Sequence, residues 1–182
     1  MSEKRNMAYR ILRWRKWELV QEVTLPEKCI ICIAPHTSNW DFAVGVLFKS
    51  ALRIKASFFM KKEWFRFPFG KMMRRLGGIP VERSKSTSMT DRIASEFNNR
   101  EQLIVAVTPE GTRSYNTDWK KGFYYIALKA NVPIVLAFID FKFKRVGYER
   151  LFIPTGDVET DMVELKNYYK TFNAKYPDKF GV

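Results

Sequence analysis

Two kinds of sequence pattern alternate along this chain, and this alternation constrains its fold more than any other feature. Short apolar, β-branched runs predict strands, and longer stretches with apolar residues every three or four positions predict helices. Strands separated by helices predict an α/β fold, in which helices flank a mostly parallel central sheet. The predicted strands are Trp17–Gln21, Cys29–Ala34, Lys55–Met60, Ile79–Val81, Leu103–Thr108, Ile134–Asp140 and Tyr148–Ile153. The predicted helices are Asn39–Leu52, Pro68–Leu76, Met89–Arg100, Trp119–Ala130 and Asp157–Tyr169.

The chain is expected to form a single domain. Its 182 residues are 46% hydrophobic, which is enough to bury a core. There is no internal repeat and no linker rich in Pro, Gly or Ser, so no boundary divides residues 1 to 182. Only the first dozen residues and the tail after Pro177 are expected to be loosely held.

The strong positive charge indicates an anionic partner. The formal net charge is +13, which favours nucleic acid, an anionic lipid surface or an acidic carrier protein, and charge alone does not choose among them. No apolar run reaches the roughly 18 to 20 residues of a membrane span, and the N-terminus lacks the pattern of a secretory signal. A cytoplasmic protein is therefore expected.

The two cysteines, Cys29 and Cys32, lie in one apolar predicted strand. Positions i and i+3 of a strand point to opposite faces, so this pair cannot close a metal site. Because the chain has a single histidine, no zinc site is expected. We interpret both thiols as inert core side chains of a protein from a reducing compartment.

The single histidine, His36, lies in the stretch PHTSNWDF between a predicted strand and a predicted helix. In open α/β sheets, functional sites gather at the carboxyl ends of strands. Asp41, in the first turn of the helix, could fold back onto one ring nitrogen and leave the other to accept a proton. Alternatively, Asp41 only stabilises the helix N-terminus and His36 is an ordinary loop residue.

A second polar stretch, PEGTRS at residues 109 to 114, follows another predicted strand. Glu110, Gly111, Thr112 and Arg113 offer a carboxylate, a permissive backbone, a hydroxyl and a planar guanidinium, a set that suits phosphate binding. An ordinary turn is the other interpretation. Arg83, just past a short predicted strand, is likewise either an anion ligand or a solvated surface residue.

In this order and approximate spacing, the motifs resemble the four sequence blocks of the glycerolipid acyltransferases, and in particular the 1-acyl-glycerol-3-phosphate and related lysophospholipid acyltransferases. Lys61 resembles the lysine that precedes the second block in that family. The resemblance covers about residues 17 to 141, and it implies one acyltransferase domain with a glycerol-3-phosphate acyltransferase-like fold. The matching blocks are His36 with Asp41, Gly77 with Arg83, EGTR at 110 to 113, and VPIV at 132 to 135.

The resemblance implies transfer of a fatty acyl group from acyl-CoA or acyl-carrier protein to the free hydroxyl of a lysophospholipid. The expected acceptor is 1-acyl-glycerol-3-phosphate. His36 would be the general base and Asp41 would orient it. No metal, no other cofactor and no nucleic acid is implied.

The same resemblance assigns the acceptor's phosphate to Arg83 and Arg113, with Lys61 as a further candidate. Glu110 would position Arg113 or receive a substrate hydroxyl, while Gly111 and Thr112 would let the backbone approach the substrate. Three other functions remain open: acylation of a lysolipid without phosphate, lipid or thioester hydrolysis, and binding of nucleic acid or another anionic surface. The sequence contains no G-x-S-x-G motif, which a hydrolase of that kind would carry, and no recognised nucleic-acid-binding signature.

The segment from Phe58 to Leu76 interleaves aromatic residues with six bases. It either covers the core with an apolar stripe or forms a surface that lies on an anionic membrane. In the second case, the protein would associate peripherally with the inner face of the membrane. The stripe expected on one helical face is Phe65, Phe69, Met72 and Leu76.

Overall fold

The computed structural model describes residues 6–66, 69–81 and 86–182, whose strands form one seven-stranded sheet. The strands are β1 (Glu18–Gln21), β2 (Lys28–Ala34), β3 (Ala56–Lys61), β4 (Gly78–Val81), β5 (Leu103–Val107), β6 (Ile134–Asp140) and β7 (Arg145–Phe152). The helices are α1 (Met7–Trp14), α2 (Asn39–Ala51), α3 (Gly70–Arg75), α4 (Ser86–Asn99), α5 (Gly122–Ala130) and α6 (Val158–Tyr169), with short 3-10 turns at Lys62–Phe65 and Pro177–Lys179.

The strand order is β1-β7-β6-β2-β5-β3-β4. The five strands from β6 to β4 are parallel, β7 runs antiparallel to β6, and β1 runs parallel to β7. The prediction of a mostly parallel α/β sheet is thus confirmed. The five parallel strands all point toward the same end of the sheet. We call this end, where their carboxyl termini lie, the carboxyl edge; β1 and β7 begin there. The opposite edge is called the amino edge.

Each face of the sheet carries its own apolar core, because successive strand side chains alternate between faces. Cys32 packs on the face covered by α4, α5 and α6, whereas Cys29 packs on the face covered by α1 and α2. Burial raises the pKa of each thiol to about 12, so both stay protonated at neutral pH. The prediction that the two cysteines are core side chains on opposite faces of the sheet is confirmed.

The N-terminal segment from Asn6 onward and the C-terminal tail are more firmly held than the sequence predicted. Asn6 caps α1 by accepting a hydrogen bond from the Tyr9 backbone, and its side-chain amide donates to the Ser50 carbonyl at 2.6 Å. In the tail, the Gly181 carbonyl accepts a 2.8 Å hydrogen bond from the Trp119 indole, and Gly181 is buried. For residues 6–12 and the tail after Pro177, the expectation of loosely held segments was wrong, because both make hydrogen bonds to distant parts of the chain that no local pattern indicates.

The predicted helix from Pro68 is shorter in the structure, since α3 begins at Gly70 and residues 67 and 68 lie outside the described ranges. Its packed positions are Gly70 and Met73, whereas Phe69 and Met72 are about half exposed. Two of the four residues of the expected apolar stripe, Phe69 and Met72, therefore do not cover the core, while Phe65 and Leu76 are partly buried. Among the residues described, no helix has both the length and the apolar content needed to cross a bilayer.

Candidate active site

The imidazole of His36 faces the carboxylate of Asp41 at the N-terminus of α2. The distance from Nδ1 of His36 to Oδ2 of Asp41 is 3.3 Å, and the Asp41 side chain is 2% exposed. The same carboxylate accepts hydrogen bonds from the backbone N–H groups of Thr37 and Ser38, at 2.7 Å each, and from the Ser38 hydroxyl at 2.8 Å. Asp41 therefore caps the helix and lies beside the histidine ring at once, as each of the two sequence interpretations expected in its geometry.

Glu110 supports His36 from the neighbouring strand. The loop after β2 carries His36, and the loop after β5 carries Glu110; the two strands are adjacent and parallel. Oε1 of Glu110 accepts a 2.6 Å hydrogen bond from the His36 backbone N–H. The backbone of the histidine is thus held by one carboxylate and its ring is approached by another.

The Glu110 carboxyl is 1% exposed, and burial raises its pKa to about 7. The hydrogen bond from His36 lowers this pKa, while the negative charge of Asp41 adds to the rise. Its second oxygen, Oε2, is buried and has no hydrogen-bond partner among the described residues. A proton on Oε2 would remove a buried charge that lies close to Asp41.

The rest of the EGTR loop faces the start of α2. Nη1 of Arg113 donates a hydrogen bond to the side-chain oxygen of Asn39, and both residues are exposed. The expectation that Glu110 positions Arg113 is not met, because Glu110 binds the His36 backbone instead. The Thr112 hydroxyl accepts a 3.2 Å bond from the Ser114 backbone, and Gly111 has a φ of +67°, which glycine adopts at little cost.

The topology brings the first and third sequence blocks together at the carboxyl edge, because β2 and β5 are adjacent and parallel. Lys61 is the last residue of β3, which neighbours β5. Arg83 lies outside the described residues, two positions past the end of β4 at Val81. The VPIV block lies at the amino edge instead, where the Pro133 carbonyl accepts a bond from the Ile30 backbone and residues 134 and 135 are fully buried. That block therefore contributes packing rather than chemistry.

Two asparagines of the site were not identified from the sequence. Asn39 holds Arg113, and the side-chain amide of Asn116 donates to the Glu110 and Asp118 carbonyls at 2.9 Å each. Asparagine at a helix start or in a turn is common, so neither carried a distinguishing pattern. Within the described ranges, no three His, Cys, Asp or Glu side chains converge as metal ligands would.

A family model described as Acyltransferase matches residues 16–139. The chain belongs to the Acyltransferase family. Members of the Acyltransferase family that it resembles include human 1-acyl-sn-glycerol-3-phosphate acyltransferase beta, with 32% identity over 105 residues, which are 55% of this chain and 38% of the human protein. The chain thus spans well under half the length of that relative.

The fold matches a solved structure, the crystal structure of PlsC from Thermotoga maritima, a 1-acyl-sn-glycerophosphate (LPA) acyltransferase. The TM-score is 0.63 at 20% identity, and the match covers 93% of this chain and 78% of the other. This similarity extends the shared fold beyond the residues that the family model covers.

Proposed function

We propose that this protein transfers a fatty acyl group from a thioester donor to the free hydroxyl of a lysophospholipid, with 1-acyl-glycerol-3-phosphate as the acceptor. The observation that carries the proposal is the pairing of His36 with the buried Asp41 at the carboxyl edge. Membership of the Acyltransferase family and the names of the two relatives support the same chemistry. In this proposal, residues 1 to 182 act as one acyltransferase domain.

His36 acts as the general base. As the acceptor hydroxyl attacks the thioester carbonyl, its proton moves to Nε2 of His36, a C–O bond forms and the C–S bond breaks. The imidazolium then protonates the departing thiolate, so no acyl-enzyme is required. Asp41 favours the tautomer with the proton on Nδ1 and stabilises the imidazolium, while Nε2 has no hydrogen-bond partner among the described residues.

Arg113 binds the phosphate of the acceptor. Its guanidinium is exposed beside the first turn of α2, and its planar fork can bind two phosphate oxygens. Arg83 and Lys61 are proposed as further phosphate ligands, because they follow or end the neighbouring strands β4 and β3. The acyl donor is acyl-CoA or acyl-carrier protein, and the enzyme works at the inner face of the membrane.

The proposal is tested with purified protein, labelled acyl-CoA and acyl-carrier protein, and a panel of lysolipids with and without phosphate, read out by mass. We expect a diacyl product from 1-acyl-glycerol-3-phosphate. His36→Ala should lower the rate by about two to four orders of magnitude, because positioned proton transfer contributes about that factor.

The matched control is Cys29→Ala, which changes a buried residue near the start of β2, on the opposite face of the sheet from Cys32 and away from the proposed chemistry. It should retain turnover if the fold is intact by circular dichroism. Release of free fatty acid with no acylated product would replace the transferase with a hydrolase. A His36→Ala variant that keeps more than about a tenth of the rate would remove this histidine from the mechanism.

A further inference from the structure

Four large aromatic side chains are exposed at the carboxyl edge. Trp14 is 77% exposed, Phe143 62%, Trp40 54% and Tyr176 45%. They come from four separate parts of the chain: the end of α1, the turn after β6, the first turn of α2 and the tail. We call these four residues the aromatic rim. Single exposed apolar residues are ordinary on protein surfaces, but four large aromatics along one edge are not.

Two residues of the rim, Trp40 and Tyr176, lie close to Lys175. Its ammonium group lies 4.7 Å from the ring centre of Trp40, 6.0 Å from that of Tyr176 and 5.5 Å from that of Phe141. The Tyr176 backbone also donates to the Thr37 hydroxyl at 3.2 Å, directly beside His36. This half of the rim therefore borders the proposed active site.

The other two residues of the rim, Trp14 and Phe143, are connected to Trp40 and Tyr176 through the start of β1. The Trp17 and Phe141 rings are 5.3 Å apart, edge to face. The Glu18 backbone donates to the Lys144 carbonyl at 2.8 Å, which places the end of α1 beside the turn that carries Phe143. The four aromatic residues thus follow one continuous stretch of the carboxyl edge.

A lysine or arginine side chain lies near each aromatic ring of the rim. Arg15 lies over Trp14, Lys142 over Phe143 and Lys179 over Tyr176, at 5.0 to 5.6 Å from the ring centres. Exposed acidic residues are fewer there: Glu18, which pairs with Arg145, and Asp178; Asp140, which accepts from the Phe143 backbone, is buried. Aromatic rings beside cations are the composition of protein surfaces that lie at the headgroup level of a bilayer.

We propose that the aromatic rim is the surface by which this protein docks on an anionic lipid bilayer, so that the active-site edge faces the membrane. The inference rests on the proposed function, because a lysolipid acceptor resides in the bilayer. It differs from the sequence-based expectation, since the rim is assembled from four distant segments and not from the stretch Phe58 to Leu76. The rings would enter the headgroup region while the bases contact anionic lipid.

Sedimentation with vesicles tests the rim directly. The vesicles contain phosphatidylcholine and phosphatidylglycerol in a ratio of about 7:3, at low and high salt. We expect wild type to bind at low salt and to bind less at high salt. The double variants Trp14→Ser with Phe143→Ser, and Lys142→Glu with Lys179→Glu, should each bind at least about tenfold more weakly.

The amino edge supplies matched controls. Leu151→Ser with Ile153→Ser removes two exposed apolar side chains there, and Arg100→Glu with Lys129→Glu changes the net charge by the same amount as the rim charge variant. Both controls should bind vesicles like wild type. Equal losses in rim and control variants, or no loss in the rim variants, would overturn the inference. Loss of activity only with acyl-carrier protein would also overturn it, since the rim would then dock the donor.

A soluble short-chain acceptor separates this inference from the proposed function. If the proposed function holds, all four variants should acylate that acceptor at rates near wild type, because none of the changed residues contacts the proposed chemistry. If no acceptor is acylated but vesicle binding still depends on the rim, the proposed function is refuted and the docking surface is supported.

Discussion

Asp41 caps a helix and, in the proposed mechanism, also orients the general base. Oδ2 accepts two backbone hydrogen bonds at the start of α2 and lies 3.3 Å from Nδ1 of His36. Those hydrogen bonds are the ones that a helix N-terminus requires in any case. The start of the helix therefore fixes the carboxylate, and the carboxylate in turn fixes the ring.

The buried carboxyl of Glu110 predicts a specific dependence of stability on pH. Its pKa is raised from 4.5 to about 7 in the folded protein, so folding favours the protonated form. The stabilisation is present in full below about pH 4.5 and is lost as the pH rises through about 7. Wild type should therefore lose free energy of unfolding relative to Glu110→Gln between about pH 5 and 8, by on the order of 1 to 3 kcal/mol.

Urea unfolding of both proteins across this pH range measures the difference. Glutamine keeps an oxygen that can accept from the His36 backbone and cannot ionise, so it isolates the effect of the charge. If the two proteins keep a constant difference from pH 5 to 8, Glu110 is not a buried titrating group and its role in holding His36 needs another explanation.

At the scale of elements, Lys49 ties α2 to two other parts of the fold. Its ammonium donates hydrogen bonds to the Ala56 carbonyl in β3 and, at 2.6 Å, to the Leu76 carbonyl after α3. Lys49→Met should lower the free energy of unfolding by about 1 to 3 kcal/mol, because two partly buried carbonyls lose their donor. Urea denaturation is the measurement.

Lys55→Met is the control, since Lys55 is exposed just before β3. Its substitution should change stability by less than about 0.5 kcal/mol. Similar losses in both variants would mean that the lysine stem, or net charge, matters more than the two carbonyl contacts.

Sequence patterns predicted the elements of the sheet well and the contacts between them poorly. All seven predicted strands are present, because apolar runs report burial directly. α1 was not predicted, since Leu12 is its only buried apolar residue. The bond from the His36 backbone to Glu110 spans 74 residues and depends on β2 lying beside β5. Strand order follows from three-dimensional packing, and no local pattern determined it.

For the molecule as a whole, the net charge of +13 should oppose folding through self-repulsion. Raising NaCl from about 20 to about 200 mM should therefore increase the urea midpoint, because salt screens like charges on the surface. The ion pairs between exposed residues contribute little to the opposite effect. A midpoint that falls with salt would mean that these pairs outweigh the repulsion.

The adjacency of β2 and β5 has a consequence for how proteins with this fold can diversify. Cys32 pairs with Val107 in that ladder, and His36 and Glu110 follow a few residues later on their strands. A slip of one residue would displace one group against the other by about 3.3 Å and turn every side chain to the wrong face. Variation that alters substrate choice is therefore best tolerated in the loops. The register of the two strands sets the distance between His36 and Glu110 and has to be kept.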